Sequence, residues 1–219
     1  MKIIVATRNR HKLVEIRALL GSVADQFEIL AAGDLRDMPD VVEDAVTLEG
    51  NARKKAYETA SVAAKLFRGS QFIVLADDTG LEVDALGGAP GVFSARFAQY
   101  GGLTPPSVMA ETKVSYHDNN VKLLKLLDGL PAEKRGARFR CVIAIVESCA
   151  GRSPTVVEGI CDGHIGAVEC GANGFGYDPL FIPLGSDKTF AELTEEEKNR
   201  ISHRGRALAK ARDVLRNLV

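Results

Sequence analysis

The sequence predicts an α/β fold, and three observations carry that prediction. Lys2 to Ala6 is a short apolar run that passes through a polar loop into Leu13, Ile16, Leu19 and Leu20 at helical spacing. Phe72-Ile73-Val74-Leu75-Ala76 is an apolar run of strand length that halts on Asp77, Asp78, Thr79 and Gly80. The longest apolar stretches are all strand-sized, too short for a membrane span. Acids at the C-terminal end of a buried strand stand where α/β sheets place their ligand sites.

Composition bounds the rest. The chain has 219 residues, long enough for one large domain or two lobes sharing a core, and nothing in it reads as a flexible linker; a single domain over 1–219 is expected. A hydrophobic fraction of 46% and a formal net charge of -1 describe an ordinary soluble protein with no overall attraction to nucleic acid or membrane. Phosphate binding would then come from local basic clusters. Met1 to Ala6 is too short for a signal-peptide core, which points to a cytoplasmic protein. Cys141, Cys149, Cys161 and Cys170 lack Cys-x-x-Cys spacing and the histidines lack a His-Glu-x-x-His pattern, arguing against structural zinc and disulfides.

In chain order, Thr7-Arg8-Asn9-Arg10-His11-Lys12 joins the first strand to the first helix. Unpaired backbone N–H groups and the positive end of the dipole meet Arg8, Arg10 and Lys12 there, which suits a polyphosphate. A capped helix with a solvated basic first turn is an equal reading, and the glycine-rich Walker pattern is absent. A strand over Phe27 to Leu30 precedes an acidic, irregular segment, Asp34 to Asp44, in which Glu43 and Asp44 could offer oxygens to a hard cation. Thr47 is the predicted N-cap of a helix reaching about Leu66. Gly50 stands where a capping box would place Glu or Gln, weakening that start by about 1 kcal/mol.

In an extended strand Asp77 and Asp78 point to opposite faces and cannot both grip one metal. One acid is expected to work while the other braces an Asp-Thr-Gly turn. Gly87-Gly88-Ala89-Pro90-Gly91 follows as a tight connection, and Pro105-Pro106-Ser107 reads as the entry to a core helix carrying Val121, Leu123, Leu124, Leu126 and Leu127. Arg138 to Val146 and Thr155 to Cys161 read as a hairpin turned at Gly151 to Pro154. In Gly174-Phe175-Gly176-Tyr177-Asp178 the glycines free the backbone to present Phe175 face-on, a stacking platform for a base whose edge Asp178 and nearby backbone could read; a turn that buries both aromatics is the alternative. Ser202 is a fair N-cap for a last amphipathic helix through Leu208, Ala211, Leu215 and Leu218. His203, Arg204 and Arg206 gather cations at its N-terminus, where a bound anion would relieve them.

Taken together, Thr7-x-Asn9-x-x-Lys12, Ala76-Asp77-Asp78-Thr79-Gly80-Leu81, Gly87 to Arg96, Gly174 to Pro179 and Ile201-Ser202-His203-Arg204 resemble the inosine triphosphate pyrophosphatase family. The match runs in order over nearly the whole chain. It implies a Mg²⁺-dependent homodimer whose subunit is a long mixed β-sheet flanked by helices, two lobes with a nucleotide-binding cleft between them. The substrates would be purine nucleoside triphosphates such as ITP, dITP and XTP, converted to monophosphate and pyrophosphate.

Residue by residue, the resemblance implies that Thr7, Asn9 and Lys12 hold the triphosphate, and that Glu43 and Asp78 carry Mg²⁺, with Asp78 also the base for the attacking water. Thr79 would lie beside the nucleotide. Phe175 would stack on the base, and Gly176, Tyr177 and Asp178 would form the turn against it. Lys198, His203 and Arg204 would complete the contacts. Two positions depart from the family pattern: Gly50-Asn51 follows Glu49 where Glu-Asn is usual, and Asn173 replaces a glycine. A covalent aspartyl phosphatase would normally show Asp-x-Asp, which Asp77-Asp78 is not. A nucleotide sensor without turnover would leave the acids unexplained.

Overall fold

The computed structural model describes residues 1–103, 114–148 and 153–218. Its strands are β1 (Lys2–Val5), β2 (Glu28–Ala31), β3 (Phe72–Val83), β4 (Pro90–Gly91), β5 (Gly136–Glu147), β6 (Thr155–Ile165) and β7 (Phe181–Pro183). Its α-helices are α1 (Arg10–Leu20), α2 (Leu48–Leu66), α3 (Tyr116–Leu126), α4 (Glu195–Ile201) and α5 (His203–Arg216). The strands pair in the order β2-β1-β3-β5-β6-β7, with β4 on β3. β1 runs parallel to β2 and β3 while β3–β4 and β6–β7 are antiparallel, so the sheet is mixed and the fold is α/β. No helix among the described residues is long and apolar enough to cross a membrane.

Chain contacts divide the molecule into two units: 1–78 with 141–159 and 204–219, and 79–140 with 160–203. In the first, the register Val5↔Leu75 and Val5↔Ala31 brings the ends of β1 and β2 level with Leu75 of β3. Alternation sends Ile3, Val5, Ile73 and Leu75 to one face, where they pack with Ile16 and Leu20 of α1 and Leu208, Ala211 and Leu215 of α5. Ile4 and Val74, on the other face, are equally buried, which is why these strands read as continuous apolar runs. The Thr47 hydroxyl caps α2 by accepting the Gly50 N–H at 3.0 Å, as expected. A Cβ at residue 50 would lie 2.8 Å from the Ala45 Cβ, so packing against the preceding loop excludes the side chain a capping box would need.

β3 corrects one expectation. The strand does not stop on its acids; it continues through Thr79 to Val83, paired with β4 at Leu81↔Gly91, and the Ser94 hydroxyl accepts the Leu81 N–H at 2.8 Å. The predicted Asp-Thr-Gly turn does not exist. What ends near Leu75 is the parallel pairing with β1, so the two acids follow directly after it.

The second unit has its own core of Leu81, Val83, Phe97, Leu123, Leu127, Phe139, Phe181 and Phe190. The expected helix entry at Pro105-Pro106-Ser107 lies outside the described residues, as do Cys149 and the first half of the Gly151 to Pro154 turn. α3 opens at Tyr116 under a capping box formed by Ser115 and Asp118. It buries Leu123 and Leu127 but exposes Val121 and Leu126, so it is amphipathic and not core all round. β7 and α4 were not foreseen, although Thr194-x-x-Glu197 is a capping box and caps α4. Ser202 sits between α4 and α5 in an extended conformation. Arg135, buried, donates to the carbonyls of Leu127, Ile165 and Gly166 at 3.2, 2.9 and 2.8 Å.

Gly163 pairs with Pro183 where β6 meets β7, and an added Cβ there would lie 2.3 Å from the Ile182 carbonyl oxygen. Gly163→Ala should therefore destabilise the protein by about 2 kcal/mol or more through overpacking. Thermal unfolding checks this, and an unchanged midpoint would contradict the close approach.

Candidate active site

The loop between β1 and α1 is built by local hydrogen bonds. The Thr7 hydroxyl accepts the Asn9 N–H at 3.1 Å, and Asn9 caps α1, its side-chain oxygen facing the Lys12 N–H at 3.4 Å and its carbonyl accepting from Leu13 N–H. Thr7 also accepts from Gly33 through its carbonyl, where the chain passes close by. The result is a helix N-terminus with fixed polar side chains in front of it, suited to anions. Lys12 places its ammonium 3.1 Å from Asp77.

Asp77 and Asp78 take different partners, as neighbours on an extended strand must. Asp77, on one face, is 2% exposed and meets Lys12 and, at 3.4 Å, Arg204 of α5. Arg204 is itself buried and also bound by Glu15 of α1. Burial alone would raise the Asp77 pKa, but Lys12, Arg204 and Lys55 together outweigh it and hold the carboxyl well below the ordinary range. Burial would lower the Arg204 pKa, but Asp77 and Glu15 outweigh it and raise it above its usual value.

Asp78 faces the other way. Asn51 of α2 donates to its Oδ2 at 3.1 Å, and the Lys55 ammonium lies 3.5 Å from Oδ1. Burial pushes this carboxyl up, Lys55 pulls it down, and Glu43 adds to the rise, leaving it above the ordinary range. Lys55 also pairs with Glu43 at 2.8 Å, so one ammonium bridges the two carboxylates that the sequence put forward for a metal. Lys55 is raised in turn, because Asp78, Glu43 and Asp77 outweigh its burial. The contacts of Asn51 and Lys55 with Asp78 are not expected from the sequence. They lie one turn apart on the buried stripe of α2, and polar residues on an otherwise alanine-rich face are the signal that could have found them.

The acidic segment is tied down by side chains of the same unit. Asn51 accepts the Ala45 N–H at 2.9 Å, Lys54 pairs with Asp44 at 2.6 Å, and Arg8 donates to the Met38 carbonyl at 3.0 Å beside Asp40. Arg8, read from sequence as phosphate-facing charge, is thus engaged by this segment. Among the described residues no group of three or more His, Cys, Asp or Glu side chains is placed to hold a metal.

In the second unit, Asp178 organises the glycine-rich turn. Its Oδ2 accepts the Phe175 N–H at 2.7 Å and pairs with Lys198 of α4 at 2.8 Å, with Asp178 and Lys198 both buried. Gly174 and Gly176 hold positive φ, and a Cβ at Gly174 would fall 2.1 Å from that same carboxylate oxygen. Phe175 is only half-buried and carries the Lys198 ammonium 5.2 Å from its ring centroid. Tyr177 is buried, donates its hydroxyl to the Ser94 carbonyl at 2.9 Å, and has its pKa raised by burial; it braces the turn from below. His203 stacks on Phe139 at 4.6 Å and 17°, and Thr79 sits half-buried in β3. The expected residues therefore form two groups: Thr7, Asn9, Lys12, Glu43, Asp78 and Arg204 in the first unit, and Thr79, Phe175, Gly176, Tyr177, Asp178, Lys198 and His203 in the second.

Comparison with known proteins places this chain among relatives. A family model described as the Ham1 family matches residues 3–214. The dITP/XTP pyrophosphatase of Desulforamulus reducens is 47% identical over 218 residues, covering 100% of this chain and 97% of its own. The solved structure of a HAM1 protein from Coxiella burnetii superposes with a TM-score of 0.82 at 34% identity, covering 99% of both chains. That of a nucleoside-triphosphatase / dITP/XTP pyrophosphatase from Mycobacterium abscessus gives 0.68 at 40% identity, over 96% of this chain and 98% of the other.

The pairing of Asp77 yields a stability prediction. Asp77→Asn removes the carboxylate that faces Lys12 and Arg204, and should cost about 3 kcal/mol or more. Because the Asp77 pKa is depressed in the fold, its stabilisation is complete above the ordinary carboxylate range near pH ~4 and is lost as pH falls. The gap between wild type and Asp77→Asn in denaturant unfolding should therefore narrow toward acid. A gap that widens there would contradict the ion pairs.

Proposed function

The chain belongs to the Ham1 family, and from that premise we propose that it hydrolyses non-standard purine nucleoside triphosphates, ITP, dITP and XTP among them. The scissile bond lies between the α and β phosphates, so the products are the nucleoside monophosphate and pyrophosphate, and the role is removal of these nucleotides from the pool. The observation that carries the reading is the separation of the two acids. Asp77 is neutralised by Lys12 and Arg204, whereas Asp78 is a buried carboxylate of raised pKa facing Lys55, Glu43 and Asn51.

In the first unit, Thr7, Asn9 and Lys12 bind the phosphate chain at the start of α1. Glu43 and Asp78 are the residues to hold Mg²⁺. Their oxygens converge on a single cation, the Lys55 ammonium, and this supports the choice of these two carboxylates for positive charge. Mg²⁺ needs only one or two protein carboxylates when phosphates and water complete its shell, in keeping with the small donor set. When bound, the ion supplies charge neutralisation at the phosphates and a lowered pKa for water. Asp78 accepts the proton of the attacking water, a task that favours a carboxylate held above its ordinary range. Lys55 neutralises the charge gathered beside it.

In the second unit, Phe175 stacks on the purine and the Gly176–Asp178 turn lies against its edge, with Thr79 alongside. Lys198 and His203 here, and Arg204 in the first unit, provide donors to the base and phosphates. Hypoxanthine and xanthine present an acceptor at the 6-position where adenine presents an amino donor, so fixed donors disfavour ATP. The protein acts in the cytoplasm as a homodimer, without nucleic acid.

Two outcomes test this reading. With ITP and Mg²⁺ the first phosphorus-containing product besides the monophosphate should be pyrophosphate, and chelation should stop turnover until Mg²⁺ is restored; orthophosphate and a nucleoside diphosphate would contradict it. Asp78→Asn keeps the shape but loses the charge, so kcat should fall by about 10²-fold or more while nucleotide binding stays measurable. Near-normal turnover in that variant would assign the base elsewhere.

A further inference from the structure

We propose that the first turn of α3 belongs to the base site, with Tyr116 a base-contacting residue beside Phe175 and Asn120 the positioning residue that holds the Phe175–Gly176 turn. The inference deepens the reading that Phe175 carries the base and rests on it.

Asn120 lies one helical turn after Tyr116, on the same face of α3. It is 2% exposed, and its amide donates to the Gly176 carbonyl at 3.2 Å and to the Glu169 carboxylate. Glu169 is held from a second side by the His117 ring at 3.0 Å. Asn120 Oδ1 is buried and meets no hydrogen-bond partner among the described residues. An apolar side chain would avoid that cost, so what this position requires is the pair of donors aimed at Glu169 and Gly176. Gly176 has φ +67°, a conformation with little intrinsic preference for this geometry over others in glycine. The bond from Asn120 adds a constraint on the turn immediately next to Phe175.

Tyr116 is the first residue of the same turn, fixed by the Ser115–Asp118 capping box. Its ring centroid is 6.0 Å from that of Phe175, with the planes inclined by 39°. Although it touches Phe175, Tyr116 is 45% exposed. Two adjacent, partly exposed rings beside the Lys198 ammonium make a larger platform than Phe175 alone. The Tyr116–Phe175 pair itself lies within the range of about 4.5–7 Å over which tilted aromatic groups attract, so a base added to Phe175 would extend an aromatic cluster that already exists.

The test is equilibrium binding of inosine monophosphate to the full chain, measured by calorimetry for wild type, Tyr116→Ala, Tyr116→Leu, Tyr116→Phe, Asn120→Ala and Phe175→Ala. Inhibition by inorganic tripolyphosphate serves as the base-independent control. Tyr116→Ala and Tyr116→Leu should weaken the monophosphate about 3- to 10-fold and raise KM for ITP to match, with kcat and tripolyphosphate inhibition unchanged. Tyr116→Phe should bind as wild type. Asn120→Ala should raise KM without lowering kcat; because it is buried and could unfold, the exposed Tyr116 variants decide the matter if it does. Unchanged affinity in both ring-deleting Tyr116 variants, with a loss in Phe175→Ala, would overturn this inference and leave the base-stacking reading intact. No loss even in Phe175→Ala would overturn both.

Discussion

Two carboxylates adjacent on an extended strand cannot share a task, and the first unit is arranged around that constraint. β3 runs unbroken through Asp77 and Asp78, so one side chain goes to each face. On the Asp77 side, α1 and α5 bring Lys12, Glu15 and Arg204 into a buried network of alternating charge. On the Asp78 side, α2 brings Asn51 and Lys55, and the acidic segment brings Glu43. Removing either partner from the first network leaves a buried charge exposed to low dielectric, whereas the second network has an excess of acid that a cation can complete. One face holds the helices in register with the sheet; the other keeps a carboxylate poised above its usual range.

The second unit solves a different problem, that of presenting an aromatic face from an irregular turn. Gly174 and Gly176 make the turn possible, but they do not choose one conformation. Asp178 does this from within, by accepting the Phe175 N–H and binding Lys198, and Tyr177 does it from below through Ser94. The Asn120 amide adds a further tie through the Gly176 carbonyl. On the proposed reading, a platform assembled in this way would lose little conformational entropy when a base binds, which is where preorganisation contributes to affinity.

Much of this was legible in the sequence where the signal is local. The parallel strands announce themselves as apolar runs, Thr47 as a cap, and Leu208, Ala211 and Leu215 as the buried stripe of the last helix. The opposite facing of Asp77 and Asp78 follows from strand geometry alone. What escaped depended on pairing across the chain. β3 reads as ending at its acids because polar residues follow, yet its continuation is fixed by Gly91 and Ser94, more than ten residues on. Lys55 and Asn51 look like ordinary polar helix residues until burial shows that they lie on the inner face. Arg8 looks like a phosphate ligand because its neighbours do, while its actual partners, Met38 and Asp40, are thirty residues away.

The division of labour between the acids can be read directly from carboxyl titration in the protein labelled with ¹³C at the aspartate side chains. Asp78 should give a carboxyl resonance that titrates above the ordinary aspartate range, and Asp77 one that stays ionised to the lowest pH at which the fold persists. The high-titrating resonance should vanish in Asp78→Asn. If it survives in Asp78→Asn, or both aspartates titrate together in the ordinary range, the separation of the two acids into unlike environments is contradicted.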